Sequence, residues 1–249
     1  MHGANGCSSL DPPRGDWLAL ASTSLGEGVE TAQVVPDSDQ HSQAELILKA
    51  PVWKRCVDLV GAALGLVALS PMFVLVPIAL LLTSPGPVFF RQRRLGRQGR
   101  PFQVLKFRTL RPATDPQAHQ AHVRALARSD ATLNKLKQAD REFPLGNLLR
   151  KACIDEIPQL VNVLFGEMSL VGPRPDVLEL VEYQPWQRAR FVVRPGITGL
   201  WQVSGKNKTT FNEMMQLDQD YVRRLSPALD LKILLSTIPA IVRGFKQRS

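Results

Sequence analysis

Cysteine is scarce in this chain: Cys7, Cys56 and Cys153 are the three among 249 residues. An odd, scattered set excludes a disulfide framework, lacks metal-ligand spacing, and fits a reducing compartment. Aromatic residues are also few, with two Tyr and four Trp. That weighs against a surface on which nucleic-acid bases stack, and nucleic acid is not an expected partner. The Walker lysine loop and the GxGxxG turn are absent, which excludes the standard nucleotide cradles. No Gly-x-Ser-x-Gly and no Cys–His pairing argues for an acyl hydrolase. The amino terminus has no basic start followed by an apolar core, so it is not a signal peptide. Finally, no charged residue occurs between Leu59 and Leu82.

What charge there is lies unevenly. The whole chain carries +9, but residues 1–50 hold seven acids and two bases, which leaves +14 on residues 51–249. A basic body of this kind suits a polyanionic partner: nucleic acid, anionic lipid or a phosphorylated substrate. Residues 1–50 are rich in Ser, Gly, Asp, Gln and Pro and show no sustained period, which reads as a disordered tail.

The uncharged run "LVGAALGLVALSPMFVLVPIALLL" would cover about 36 Å as one helix, against about 30 Å of bilayer hydrocarbon. Ser70-Pro71 falls at its middle. Proline removes a backbone donor and clashes with the preceding turn, so the helix is expected to kink there. Lys54 and Arg55 precede the run, and Arg91, Arg93, Arg94, Arg97 and Arg100 follow it. Basic flanks favour the cytoplasmic face. Two such flanks around a kink fit a re-entrant hairpin over residues 51–86; a kinked single span also fits. Asp58 reads as one half of a surface pair with Lys54 or Arg55 at helical spacing.

Beyond it, Val88–Leu95 and Phe102–Leu110 are β-prone runs around a Gly-rich basic turn, the pattern of a β-hairpin. Its arginines would lie near the membrane surface and could meet lipid or substrate phosphates. Helical patterns follow at Leu145–Lys151, Ile154–Phe165, Phe211–Leu225 and Ala228–Phe245. The last is amphipathic and can lie in the membrane interface or pack on the body.

Within "KACIDEIPQLVNVLFGEMSLVGPRP" two acids, Asp155 and Glu156, stand side by side. Gly166 ends the apolar run as a helix C-terminus often ends. That puts the acids in the first helical turn, where unpaired N–H groups favour negative charge. Helix-start decoration is therefore one reading. The second comes from their surroundings: Arg150 before them, "VGPRP" with Arg174 between Pro173 and Pro175, then "VRPGITGLWQVSGKN" with Arg194 and Lys206. A guanidinium on a rigid turn can grip phosphate through paired bonds. Carboxylates among such groups suit Mg²⁺, which bridges diphosphates. A membrane-seated, Mg²⁺-assisted enzyme acting on phosphate groups, with a carboxylate as candidate nucleophile, fits this set.

In series, "KRCVDLVGAALGLVALSP", "PVFFRQRRLG", "FQVLKFRTL", "IDEIPQLVNVLFGEMSLVGPRP", "RPGITGLWQVSGKN" and "LDLKILLSTI" resemble the bacterial sugar transferases. These are the monotopic phosphoglycosyl transferases of exopolysaccharide and glycan assembly. The resemblance covers about residues 51–245 and implies a reaction. A sugar-1-phosphate passes from a UDP-sugar to undecaprenyl (polyprenyl) phosphate, giving polyprenyl diphosphate sugar and UMP. By the same resemblance Asp155 is the catalytic nucleophile that holds a covalent phosphosugar. Glu156 positions it or Mg²⁺, the two acids forming the metal site. Lys106 and Arg150 lie near the diphosphate, and Pro173, Arg174 and Pro175 near the nucleotide. Arg194 and Lys206 are taken as further substrate-binding residues. Ser70 and Pro71 match the family's membrane break, which favours the hairpin over a span.

The expected fold is thus α+β and mainly helical: a re-entrant helix-break-helix, a small β-hairpin and amphipathic interfacial helices around a cytoplasmic active site. Residues 87–249 form the catalytic part, one unit with 51–86, on the bacterial inner membrane and in contact with its lipid. No multi-span domain precedes it, as in the short members of the family. A homodimer is left open. Two positions depart from the family's pattern. Cys153 stands where many relatives have Ser or Thr, weakening an N-cap. Asp115 is displaced from the acid many relatives carry after "KFRTL".

Overall fold

A computed structural model describes residues 51–111, 118–129, 131–133, 141–205 and 209–246. The expected tail, Asp115 and Lys206 lie outside the described residues. In chain order, α1 is Val52–Ala68, α2 Met72–Thr83, β1 Phe89–Leu95 and β2 Pro101–Phe107. Helices α3 (Ala118–Ala127) and α4 (Pro144–Lys151) follow, then a 3-10 turn at Ile154–Glu156 and α5 (Gln159–Phe165). The remainder is β3 (Ser169–Val171), β4 (Gly196–Thr198), α6 (Leu200–Ser204), α7 (Phe211–Arg223) and α8 (Pro227–Lys246). The described chain is mainly helical, with β1 and β2 antiparallel and β3 and β4 parallel.

The uncharged run breaks where the sequence puts proline. Helix α1 ends at Ala68 and α2 resumes at Met72, with the two bent by 57°. Pro71 has no N–H to continue the ladder, and Ser70 Oγ instead donates to the Val67 carbonyl at 2.8 Å. Among the described residues no single helix is long and apolar enough to cross a membrane; α1 and α2 together pass by length and composition.

Helix α1 is amphipathic in an inverted sense. Its buried face is Lys54, Asp58 and Ala62, at i, i+4 and i+8, and its apolar residues Val52, Val60, Leu64 and Val67 are exposed. Asp58 is therefore not the surface residue that its spacing implies; it is 0% exposed. It accepts from Ser169 Oγ at 2.8 Å and from the Leu170 N–H at 2.9 Å, so it fastens α1 to β3. Lys54 Nζ reaches Asp230 Oδ2 of α8 at 2.6 Å and the Val171 carbonyl at 2.9 Å. Tyr221 of α7 donates to Asp230 Oδ1 at 2.8 Å. One buried polar network thus ties α1, β3, α7 and α8 together.

The rest of the body packs along the inner side of both apolar helices. Ala62 lies in a core with Phe102, Val104, Leu160 and Val163. From α2, Val76 and Leu80 pack with Phe107, Phe143 and Leu149. Helix α8, for which the sequence leaves two alternatives, packs on the body with one face and leaves another exposed. Ile233 and Asp230 are buried, while Leu231, Leu235, Ile238 and Val242 form an exposed apolar stripe at helical spacing.

The parallel pair was not foreseen. Ser169 pairs with Gly196 and Val171 with Thr198. Gly172 N–H donates to the Thr198 carbonyl and Gly196 N–H to the Pro173 carbonyl, both at 2.9 Å. The backbones meet so closely that a Cβ on Gly196 would lie 2.1 Å from the Gly172 nitrogen. Both partners are backbone, so neither can move aside. Gly196→Ala is expected to destabilise the fold by about 3 kcal/mol or more, read as a lower thermal unfolding midpoint.

Candidate active site

Three segments converge. The first is β2, whose inward residues Phe102, Val104 and Lys106 alternate with outward ones as a strand requires. The second is the Ile154–Glu156 turn. The third is the loop that leaves β3 through Gly172, Pro173, Arg174 and Pro175.

The acids do not open an α-helix directly. Pro158 cannot donate to the Ile154 carbonyl four residues back, so that carbonyl takes the Ile157 N–H at 3.2 Å. The result is a 3-10 turn carrying Asp155 and Glu156, with α5 beginning only at Gln159. The expected first-turn placement is corrected to a tight turn ahead of the helix. Cys153 leads into it in the left-handed region, φ 57°, with no side-chain cap hydrogen bond. That conformation costs a non-glycine residue about 1 kcal/mol, and such positions cluster at functional sites.

Side-chain cations hold Glu156. Lys106 Nζ lies 3.1 Å from Glu156 Oε1. Arg174 grips the same carboxylate with both ends of its fork, Nη2 to Oε1 at 2.6 Å and Nη1 to Oε2 at 3.4 Å. Glu156, with Asp155 and Cys153 adding smaller contributions, holds the Arg174 guanidinium above its ordinary range despite burial. Asp155 is thus within electrostatic reach of Arg174.

The Arg174 loop is itself clamped. Arg190 donates to the Arg174 carbonyl, and Arg190 is paired with Asp218 of α7 at 2.9 Å, both side chains 2% exposed. Burial pushes the Asp218 carboxyl up to about 6, and Arg190 opposes the rise. The pair fixes the peptide that carries Arg174.

Of the residues singled out from sequence, the structure brings together Asp155, Glu156, Lys106 and Arg174, with Pro173 and Pro175 flanking the last. Arg150 adjoins the turn on α4 but its Nη2 is directed to Glu142 Oε1 at 2.8 Å and to Asn147. Arg194 is elsewhere. Its Nε donates to the Gly166 carbonyl at 2.7 Å, at the far end of α5 from the acids. There Arg55 also donates to the Val163 and Leu164 carbonyls, each at 2.7 Å. A helix end leaves its last carbonyls without partners, and these two arginines supply them. Burial, then Arg55 and Arg97 nearby, hold the Arg194 guanidinium below its ordinary range.

The sequence does not distinguish Arg94 from the other hairpin arginines expected to meet lipid or substrate phosphates, yet its side chain turns inward toward Asp176 and Arg174. Strand alternation separates Arg94 and Gln92 from Arg91 and Arg93, but only the hairpin register shows which face is inner. Arg94 pairs with buried Phe102 and Gln92 with buried Val104.

The site also lies at the edge of the apolar surface. Lys106 is cross-strand from Phe90, which is exposed. Its neighbour Phe107 stacks on Phe89 at 5.5 Å and meets Phe73 of α2 at 5.6 Å. The cluster of Lys106, Glu156 and Arg174 therefore lies one strand residue from Phe107, which packs against Phe73 of α2.

The bacterial sugar transferase family model matches residues 49–244. The chain belongs to the bacterial sugar transferase family. It is therefore a transferase enzyme. Among relatives of this sugar transferase is the exopolysaccharide production protein ExoY of Sinorhizobium fredii, 40% identical over 195 residues, covering 76% of this chain and 84% of that protein. A UDP-glucose:undecaprenyl-phosphate glucose-1-phosphate transferase of Caulobacter vibrioides is 43% identical over 199 residues, 76% of this chain and 69% of that protein. An Escherichia coli protein of the same name is 36% identical over 209 residues, 79% of this chain but 41% of that longer protein.

Proposed function

We propose that this sugar transferase moves a sugar-1-phosphate from a UDP-sugar to undecaprenyl phosphate, releasing UMP, as a membrane step of exopolysaccharide or glycan assembly. The observation that carries this reading is the position of the site. Glu156, held by Lys106 and Arg174 with Asp155 beside it in sequence, lies across the hairpin from exposed Phe90 and next to Phe107, which packs on Phe73 of α2. A phosphate on a long apolar tail would reach such a site from the lipid, and a soluble diphosphate from the other side. The names of the Caulobacter and Escherichia relatives specify UDP-glucose and undecaprenyl phosphate, one donor and the acceptor of this class.

Asp155 is the nucleophile in this account. Its carboxylate oxygen attacks the phosphorus that bears the sugar. The bond from that phosphorus to the bridging oxygen breaks, and UMP leaves with the electron pair. An oxygen of undecaprenyl phosphate then attacks the same phosphorus and breaks the Asp155 O–P bond, giving the lipid diphosphate sugar. A covalent intermediate lets a soluble and a lipid substrate use one site in turn. Lys106 and Arg174 neutralise charge and align the reacting groups, which is most of what phosphoryl transfer requires of a protein. Glu156, gripped by both, keeps those cations in place.

Among the described residues no group of three or more His, Cys, Asp or Glu is placed to hold a metal. Mg²⁺ carried on a diphosphate needs only one or two protein carboxylates, its other ligands being phosphate oxygens and water. Asp155 and Glu156 fit that smaller role, and bound Mg²⁺ would supply charge neutralisation at the diphosphate.

Re-entry rather than spanning is supported by packing. Ala62 in α1 and both Val76 and Leu80 in α2 rest on one body, and a passage through the bilayer would carry that body into it. Helices of 17 and 12 residues are bent by 57°. With both ends at one surface, lengths of about 25 and 18 Å place the break only about 10 Å deep. That is less than one leaflet, about 15 Å. The catalytic part then faces the cytoplasm of the bacterial inner membrane.

The test is a UMP-release screen of the purified protein, with Mg²⁺, against a panel of UDP-sugars and undecaprenyl phosphate. One or a few donors are expected to give UMP together with lipid diphosphate sugar. No UMP from any donor would leave the alternative, a non-enzymatic membrane scaffold.

A further inference from the structure

Five arginines follow the apolar run, at 91, 93, 94, 97 and 100. Arg91, Arg93 and Arg100 are exposed, and Arg97 donates to the Val192 carbonyl at 3.1 Å. Arg94 differs. Its side chain is 11% exposed and lies on the inner face of the hairpin, the face that also presents Lys106.

Burying a guanidinium needs a matched anion or a full set of hydrogen bonds. Arg94 has neither in full among the described residues. Its nearest ion-pair partner is Asp176 Oδ1 at 4.0 Å, and its hydrogen bond is from Nη2 to Gln92 Oε1 at 2.7 Å. Asp176 Oδ1 is itself taken by the Val177 N–H at 2.7 Å. Burial pushes Arg94 down to about 10; Asp176 partly offsets the fall and Arg174 adds to it. Two guanidiniums thus stand close enough to repel, beside Glu156. Arg174 spends both ends of its fork on Glu156, whereas Arg94 makes no such paired contact with a carboxylate.

A phosphate group answers this arrangement. Its several oxygens accept paired bonds from a planar fork, which an ammonium cannot offer. Asp176 and Gln92 orient the fork, and the hairpin, a regular strand, keeps it rigid. We propose that Arg94 is a substrate-binding residue whose guanidinium grips a substrate phosphate beside Arg174. The inference rests on the proposed transfer reaction. Two substrates carry that chemistry, the nucleotide donor and the lipid acceptor.

The test compares wild type with Arg94→Gln and Arg94→Lys in steady-state transfer, with thermal unfolding as the check on folding. Arg93→Gln is the control, because Arg93 is 62% exposed and turned outward. Arg94→Gln is expected to raise one KM about tenfold or more, with kcat within about fivefold and the unfolding midpoint nearly unchanged. A rise in the donor KM assigns the UDP-sugar diphosphate; a rise in the acceptor KM alone assigns the lipid phosphate. Arg94→Lys is expected to restore only part, leaving the same KM at least about threefold high. Arg93→Gln should stay within about twofold. Unchanged KM values for both substrates in a folded Arg94→Gln protein would overturn the inference. If that variant does not fold, unchanged values in Arg94→Lys would do so. A wild-type protein that releases no UMP defeats the functional reading instead. Calorimetric titration with UDP and with a short-chain polyprenyl phosphate then reads Arg94 without turnover. Weaker binding of either by Arg94→Gln supports it, and equal binding of both contradicts it.

Discussion

Asp155→Asn is expected to lower sugar-phosphate transfer by at least about a thousandfold while leaving the fold intact. The substitution keeps the shape of the side chain and removes its charge. An amide oxygen is a poor nucleophile toward phosphorus, so the covalent step stops. The cationic frame survives, because Glu156 retains Lys106 at 3.1 Å and Arg174 at 2.6 Å. The unfolding midpoint is therefore expected to stay within a few degrees, about 1 kcal/mol at most. A scaffold with two decorative acids gives the opposite result, with polysaccharide production in cells unaffected. Transfer assays and thermal unfolding on one preparation separate the two.

Lys54→Met is expected to be the most destabilising single change in α1. Lys54 neutralises two carboxylates, Asp230 at 2.6 Å and Asp58 at 3.7 Å, with all three side chains at most 8% exposed. Removing the cation leaves both acids buried without it. Breaking such a pair from one side costs about 3–5 kcal/mol, and at this chain length that lowers the midpoint by roughly 10 °C. Adding Asp230→Asn should recover part of the loss, because Asp58 would still lack its cation. The variant should also depend on pH in a defined direction. Burial already raises the Asp230 carboxyl above its ordinary range, with Lys54 opposing. Without Lys54 the rise is larger. The folded state then binds a proton that the unfolded state does not. Stability in Lys54→Met should therefore increase as pH falls through the raised value toward the ordinary carboxylate range. Unfolding midpoints at pH 8 and pH 5 measure it: the gap from wild type should narrow at pH 5.

Much of this arrangement was legible in the sequence because its signals are local. The Ser70-Pro71 break follows from a missing N–H, and the β-hairpin from two β-prone runs around a glycine-rich turn. The helices at Pro144–Lys151, Phe211–Arg223 and Pro227–Lys246 follow their apolar period. In the site, Lys106, Glu156 and Arg174, each singled out from sequence, lie in contact.

What was not legible depends on partners distant in sequence. Strands β3 and β4 have three residues each and pair across the loop between Val171 and Gly196, so no local pattern announces them. Asp58 looked like a surface acid because an i, i+4 pair with Lys54 is usually solvated. In α1 the charged face instead turns inward, Asp58 onto β3 and Lys54 onto Asp230 of α8. Arg194 belonged to a glycine-rich basic stretch, yet the unsatisfied carbonyls at the end of α5 claim it. Arg94 could be separated from its neighbours only once the register against Phe102 was known.

The central claim is that Asp155 carries the sugar phosphate. The most direct measurement mixes the purified protein with its UDP-sugar and Mg²⁺, without lipid acceptor, and follows UMP and the mass of the Asp155 peptide together. The account predicts about one UMP per active site and a phosphosugar on that peptide, which undecaprenyl phosphate then discharges. UMP appearing only after the acceptor is added, with the Asp155 peptide unmodified throughout, would contradict it and indicate direct transfer between two bound substrates.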